Sequence, residues 1–502
     1  MTAMRSKLLD LAERNRITAL SNLNPSTQDS LGQFFTPARA AALIASMPRL
    51  PRWGALRVLD PGAGSGMLSA ALVARVLDEA PDVEVHLVAV ECDPSMIPHL
   101  ADTLEACKAE GAGRVSFDII DSDYISSSTG LTVDERLFGF DLVIQNPPYA
   151  KLAASSPARK AVRAAGADAP NLYAAFLALA TGALKPGGQL VAITPRSFCN
   201  GPYFGAFRSY LLSQIALDRV HVFESRSTVF ADTGVLQENV VFAGTKGGVR
   251  DEVLLSASNS HEDDSSHRWV PYTDVVHPND RQQFIRITTN DEDTDLAQRM
   301  MNLPDTLATL GIEVSTGKVV DFRSRQCLHD TKVHNGFPLI YPGNVRDGLV
   351  TWPRAIRKPQ WFLPVLDKDV GLLVPEGWYC IVKRFSAKEE RRRLVAAVWS
   401  PELTPGPVAF ENHVNVFHSR GAGLDRETAY GLSMWLNSSL VDRYFRTFSG
   451  HTQVNATDLR MMRYPDRATL RGLGKRAPQR LPAQEDVDAL VCDALNGVGV
   501  AA

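Results

Sequence analysis

From Leu56 to about Phe242 the chain alternates short apolar, β-rich runs with stretches whose apolar residues recur at helical spacing. Leu56–Leu59 predicts a strand, and the Ala/Leu-rich Met67–Leu77 that follows a Gly-rich turn predicts a helix. Val83–Val90, Arg114–Ile120, Phe140–Ile144 and Gln189–Thr194 predict four further strands, and Val220–Phe223 and Asn239–Phe242 two more. Asn171–Ala183 predicts a helix, closed by Lys185-Pro186-Gly187-Gly188. Strands that alternate with helices in this way predict a doubly wound α/β sheet, mostly parallel, with helices covering both faces.

Past Gly244 that pattern dissolves into Ser-, Asp- and His-rich sequence, and Ser256–Ser266 reads as a loop or linker. From about Gly311 the apolar runs are short, and Pro, Gly and Trp (Trp352, Trp361, Trp378, Trp399) are frequent, which predicts a second, α+β domain. Thr428–Phe445 reads as one helix, and a last short helix follows an irregular stretch after Arg476. Met1–Leu20 mixes Arg5, Lys7, Asp10, Glu13, Arg14 and Arg16 with leucines and predicts an amphipathic helix, not a signal peptide. The expected organisation is a helical segment over 1–30, an α/β domain over 31–248, an irregular linker over 249–310, a second domain over 311–480 and a tail over 481–502.

Composition changes this picture little. The 502 residues are 45% hydrophobic and 22% charged, as in ordinary globular domains, and no apolar run reaches the length of a membrane span. Six cysteines are scattered without a C-x-x-C pair, so neither a disulfide framework nor structural zinc is expected, and a reducing cytoplasm fits. The net charge of −3 does not point to nucleic acid, but its distribution does. Residues 251–296 carry 11 acidic and 3 basic side chains, whereas residues 318–393 carry 15 basic and 8 acidic. A basic segment inside a near-neutral chain is the footprint of a polyanion-binding face; a solvated charged surface is the other reading.

The first strand runs into Asp60-Pro61-Gly62-Ala63-Gly64-Ser65-Gly66. Glycines let a backbone turn sharply ahead of a helix and approach a ligand closely. A carboxylate two residues before the first glycine would repel a pyrophosphate but attract the ammonium of S-adenosylmethionine (SAM), which has no phosphate. Glu91, at the end of the second strand, is placed to accept hydrogen bonds from both ribose hydroxyls. Asp123, after the third strand, falls where an adenine ring would extend, or is a surface acid in a turn.

Asn146-Pro147-Pro148-Tyr149 ends the fourth strand. The N6 amine of adenine is a poor nucleophile because its lone pair is delocalised into the ring. Two acceptors aimed at its N–H bonds, the Asn146 side-chain oxygen and the Pro147 carbonyl on a proline-stiffened backbone, favour the tetrahedral nitrogen that attack requires. Tyr149 can stack on the flat base. Positioning and electrostatics then carry an in-line methyl transfer that needs neither a metal nor a strong base.

In this order these residues resemble the gamma class of N6-adenine DNA methyltransferases. Gly32-Gln33-Phe34-Phe35-Thr36-Pro37 is similar to the segment that precedes the Gly-rich motif there, and Asn171–Phe176 to the helix after the catalytic loop. The resemblance implies that Thr36 holds the cofactor's carboxylate, and that Phe230 packs on a flipped adenine opposite Tyr149. Ser315–Arg323, Glu411–His418 and Gly450–Leu459 are similar to segments of the BsuBI/PstI-like branch. The expectation is therefore a SAM-dependent methyltransferase domain joined to a C-terminal target-recognition domain. It would act on double-stranded DNA as the modification enzyme of a restriction–modification system, with or without a separate cognate endonuclease. Lys318, Arg323 and Arg325 are the first candidates for DNA contacts, with Arg354, Arg357, Lys358 and Arg391–Arg393 further along the basic segment. Ribosomal RNA and protein-glutamine methyltransferases share the Asn-Pro-Pro-Tyr loop but lack the Gly-Gln-Phe-Phe-Thr-Pro segment and the long C-terminal half. A DNA-binding module without catalysis would have no need of the intact loop.

Overall fold

A computed structural model describes residues 3–22, 34–130, 133–223, 239–258, 266–278, 280–288, 290–386, 390–449, 453–478 and 480–496. The chain divides into two compact units, Met1–Thr289 and Asn290–Ala502.

The first unit is built on a nine-stranded sheet. Its strands are β1 Gly54–Pro61, β2 Val83–Glu91, β3 Val115–Asp121, β4 Phe140–Gln145, β5 Leu184–Pro195, β6 Ile215–Phe223, β7 Asn239–Lys246, β8 Glu252–Ser258 and β9 Ser266–Pro271. They lie in the order β3-β2-β1-β4-β5-β7-β6-β8-β9. The first five are mutually parallel, with Leu59 beside Val88 on one side and Val143 on the other. Strand β7 runs antiparallel between β5 and β6. Strands covered on both faces become almost continuously apolar, which is why Leu-Val-Ala-Val in β2 and Leu-Val-Ile in β4 show no alternation.

Helices α1 (Ala3–Asn22), α2 (Ala38–Ser46), α3 (Met67–Glu79) and α4 (Ile97–Glu110) share one buried apolar cluster with the sheet face that carries Val58, Ile144 and Ile193. Helix α5 (Leu172–Ala183) packs on the opposite face with Val143, Leu190 and Phe242. The helix order reverses across β1 and β4, so a crevice opens at the carboxyl ends of these strands, where open α/β sheets bind ligands.

The sheet runs on beyond residue 248. The residues expected to form a linker supply β8, parallel to β6, and β9, antiparallel to β8. Val253, Leu255 and Ala257 alternate inward along β8. The period-two signal is there, but it is short and sits among acids that suggest a loop.

Among the described residues the second unit holds two sheets. One orders 313–316, 414–418, 379–383, 396–399, 349–350 and 345–346; the other orders 328–329, 361–362, 337–340, 408–410 and 373–374. The stretch expected as one helix from Thr428 is two, Arg426–Leu436 and Ser439–Phe448. Asn437 and Ser438 break it: the Asn437 amide donates to the Ser433 and Ala396 carbonyls, and the Ser438 side chain caps the second helix at Val441. Among the described residues no helix is long and apolar enough to cross a membrane.

Candidate active site

Three left-handed glycines shape the turn after β1, with φ of 73° at Gly62, 55° at Gly64 and 84° at Gly66. A Cβ on Gly64 would lie 3.2 Å from the Phe35 ring, and one on Gly66 would lie 3.0 Å from Leu100, so a side chain there would strain the backbone and press on these neighbours. The turn is tied to β2. The Gly62 and Ala63 amides donate to the Val90 carbonyl, and the Gly64 amide donates to Glu91 Oε2 at 2.8 Å. Glu91 Oε1 accepts from the Cys92 and Asp93 amides, both at 2.9 Å. The carboxylate at the end of β2 thus organises two loops. Burial pushes it above its ordinary range, and the three amides pull it back.

Asp60 is 1% exposed. Its Oδ2 accepts from the Ser69 hydroxyl at 2.7 Å, while its buried Oδ1 has no hydrogen-bond partner among the described residues. Burial pushes this carboxyl from 3.8 up to about 7; the Ser69 hydrogen bonds oppose the shift and the nearby Glu91 charge adds to it. An orphaned acid oxygen beside a bare glycine turn is suited to a ligand that brings a cation.

Asn146 leaves the end of β4 with its amide fixed. Nδ2 donates to the Phe34 carbonyl at 2.6 Å and to Thr36 Oγ1 at 3.0 Å, and Oδ1 accepts from the Tyr149 hydroxyl at 3.2 Å. The lead-in segment before α2 therefore sets which way the amide faces. Pro147 is buried behind it. The Tyr149 ring lies 4.9 Å from Phe34 and meets Tyr173 edge-on at 6.1 Å, and burial holds its phenol far above the ordinary value.

One pocket collects these groups: Thr36, Asp60, Gly62, Gly64, Glu91, Asp123 and Asn146 all line it. Seven candidates scattered over a hundred residues of sequence are thus brought together. Asp123 also caps the short helix Tyr124–Ser128, its Oδ1 accepting from the Ser126 amide at 2.8 Å. Sequence reasoning missed the bond from the Tyr149 hydroxyl to Asn146 and the anchoring of Asn146 by Phe34. No sequence pattern announces a carbonyl acceptor more than a hundred residues upstream. Gly32, Gln33 and Phe230 lie outside the described residues.

In the second unit Arg323 and Arg325 are exposed on a segment that also exposes Phe322, and exposed Lys318 donates to the Gly371 carbonyl at 3.0 Å. Lys358 is paired with Asp321 at 2.6 Å. Arg393 is fully buried, its guanidinium donating to the Ser449 carbonyl, so it has no surface to offer a phosphate.

Residues 114–230 match the model of the Eco57I restriction-modification methylase family. The type II methyltransferase M.BsuBI of Bacillus subtilis is 41% identical over 485 residues, 94% of each chain. The type II methyltransferase M.PstI of Providencia stuartii is 38% identical over 494 residues, 97% of each chain. Among solved structures, the type IIL restriction-modification enzyme MmeI in complex with DNA aligns with 98% of this chain and 74% of its own, with a TM-score of 0.55 at 10% identity, a likeness of fold. Identity of this extent over nearly the whole length settles the family: the chain belongs to the BsuBI/PstI-like type II methyltransferases and is a SAM-dependent DNA methyltransferase of the restriction–modification kind.

Proposed function

We propose that the enzyme methylates the N6 amine of an adenine flipped out of double-stranded DNA, and that the pocket at the carboxyl ends of β1, β2 and β4 holds SAM. The observation that carries the reading is the fixed amide of Asn146. With Nδ2 committed to Phe34 and Thr36, Oδ1, which accepts one hydrogen bond from the Tyr149 hydroxyl, keeps a second lone pair for a substrate amine. Glu91 would take the ribose hydroxyls, Asp60 the ammonium, Thr36 the carboxylate, and Asp123 the neighbourhood of the adenine ring. Gly62 and Gly64 give the backbone room for close approach.

SAM supplies a methyl group already activated by its bond to a sulfonium. The protein's part is to hold the amine in line with that bond. Asn146 Oδ1 and the Pro147 carbonyl would draw the two N–H bonds out of the base plane, freeing the lone pair and stabilising the positive charge that grows on N6. Tyr149 would stack on the base, with Phe230 facing it. Unstacking the adenine costs on the order of a few kcal/mol, which contacts inside the site must offset.

Residues 311–480, within the second unit, would read the DNA site, with Lys318, Arg323 and Arg325 contacting the duplex. The chain would work in the cytoplasm, with or without a separate cognate endonuclease. Tritiated SAM and DNA, followed by digestion to nucleosides, tests the central point. N6-methyladenine is the expected product; N4-methylcytosine or 5-methylcytosine would overturn the base assignment.

A further inference from the structure

Three ionisable groups so far placed on the cofactor pocket, Asp60, Glu91 and Asp123, are acids. SAM carries two positive groups, the sulfonium and the ammonium, and one negative group, its carboxylate. Acids suit the first two and repel the third. Thr36 offers the carboxylate a single neutral hydroxyl, whose oxygen already accepts from Asn146. The acids disfavour a carboxylate in this pocket, and a neighbouring cation would offset that repulsion.

Among the described residues lining the pocket that cation is Arg16, from helix α1. Its side chain is only 4% exposed, although arginines on amphipathic helices ordinarily point into water. Glu13 holds it in place: Oε2 accepts from Nε at 2.9 Å and Oε1 from Nη2 at 2.6 Å. Glu13 Oε2 also accepts from the Ala38 amide at 3.2 Å, where α2 begins two residues after Thr36. The guanidinium is thereby fixed to the segment that carries Thr36.

Helix α1 itself is anchored independently. Asn15 Nδ2 donates to Asp102 Oδ2 at 2.9 Å and Thr103 Oγ1 at 3.0 Å on α4, and Ala19 packs with Phe35 and Met96. A planar guanidinium carries five donors on three nitrogens; Glu13 engages Nε and Nη2, and the shape of the fork matches a carboxylate.

We propose that Arg16 binds the α-carboxylate of SAM, together with Thr36, so that the N-terminal helix is part of the cofactor site. The inference rests on the reading of this pocket as the SAM site. Binding of SAM and of decarboxylated SAM, which differ only in that carboxylate, tests it by calorimetry on the full-length protein. The wild type should bind SAM at least tenfold more tightly than the decarboxylated probe. Arg16→Gln should weaken SAM by about ten- to a hundredfold, leave the decarboxylated probe within about twofold, and so erase the discrimination; Arg16→Lys should keep part of it. Equal wild-type affinity for the two probes would overturn the proposal without any variant. Equal weakening of both probes by Arg16→Gln would also overturn it, by making Arg16 a structural residue. Glu91→Ala separates the two readings: it should weaken both probes alike, and if it weakens neither, the pocket is not the SAM site and the premise fails.

Discussion

Asn146 carries two distinct jobs on one amide, and substitutions separate them. Asn146→Ala removes the proposed acceptor and should lower turnover by about 100- to 1000-fold, the usual loss when one donor or acceptor preorganised for the transition state is deleted. SAM affinity, followed by calorimetry, should change only a few-fold; a loss of cofactor binding as large as the loss of turnover would make the residue structural. Asn146→Asp keeps the acceptor but points a carboxylate at the Phe34 carbonyl, which accepts Nδ2 at 2.6 Å. It should therefore disturb the loop more than alanine does. Tyr149→Phe keeps the ring and removes the 3.2 Å bond to Oδ1. It should retain most base stacking, read by 2-aminopurine quenching at the target position, and Tyr149→Ala should lose it.

Asp60 adds a pH signature. Its unliganded carboxyl sits at about 7 instead of 3.8, because burial penalises the charge. An ammonium binds the ionised form, so SAM affinity should fall as pH drops below about 7 and level off above it; Asp60→Asn should flatten the profile. The stability of the unliganded fold runs the other way. The folded chain holds this proton between about 3.8 and 7, where the unfolded chain releases it. Asp60's share of stability is thus full at low pH and declines as pH rises through 7. A SAM affinity that does not vary between pH 5.5 and 8.5 would remove Asp60 from the ammonium.

At the scale of elements, the sequence was legible where periodicity and turn chemistry agree. Leu59-Asp60 into the glycine turn, Val90-Glu91 and Ile144-Gln145-Asn146 announce strand ends because buried parallel strands are apolar until they meet the ligand edge. What was not legible is carried by contacts between distant segments. Glu91 was expected to face a ribose, yet the structure also gives it the Gly64, Cys92 and Asp93 amides. Glu91→Ala therefore removes three acceptor contacts as well as the proposed ribose bonds. It should weaken SAM by roughly 1.5–3 kcal/mol. It should also lower the melting temperature, and Glu91→Gln should restore part of that loss. The break at Asn437-Ser438 was hidden for the same reason: the Ala396 carbonyl that binds the Asn437 amide belongs to a strand about forty residues upstream.

For the whole molecule the boundary near residue 248 is the costly misreading. Strand β8 pairs along β6 from Arg219 to Phe223, and β9 covers β8. A fragment cut at residue 248 would leave the β6 edge open and should aggregate, because an unpaired edge is a template for other chains. A fragment of residues 1–289 should instead fold and bind SAM. It should bind DNA poorly if the basic excess of residues 318–393 supplies the phosphate contacts. In the full-length chain, charge reversal at Lys318, Arg323 and Arg325 should reduce the salt dependence of DNA binding. A 1–289 fragment that methylates the same sites with the same selectivity would show that recognition does not reside in the second unit.

Thr36 Oγ1 accepts from Asn146 while its own hydroxyl proton remains to be donated. In the proposed complex, one end of this relay touches the cofactor and the other the target base, so the two ligands do not bind independently. A carboxylate on the Thr36 proton makes the oxygen a better acceptor, tightening its hold on Nδ2 and fixing Oδ1 for the incoming amine. Linkage is reciprocal: cofactor should favour the extrahelical adenine by the same factor by which DNA tightens cofactor binding. That factor should be about fivefold or more in the wild type and collapse toward one in Thr36→Val, even at saturating concentrations of both ligands.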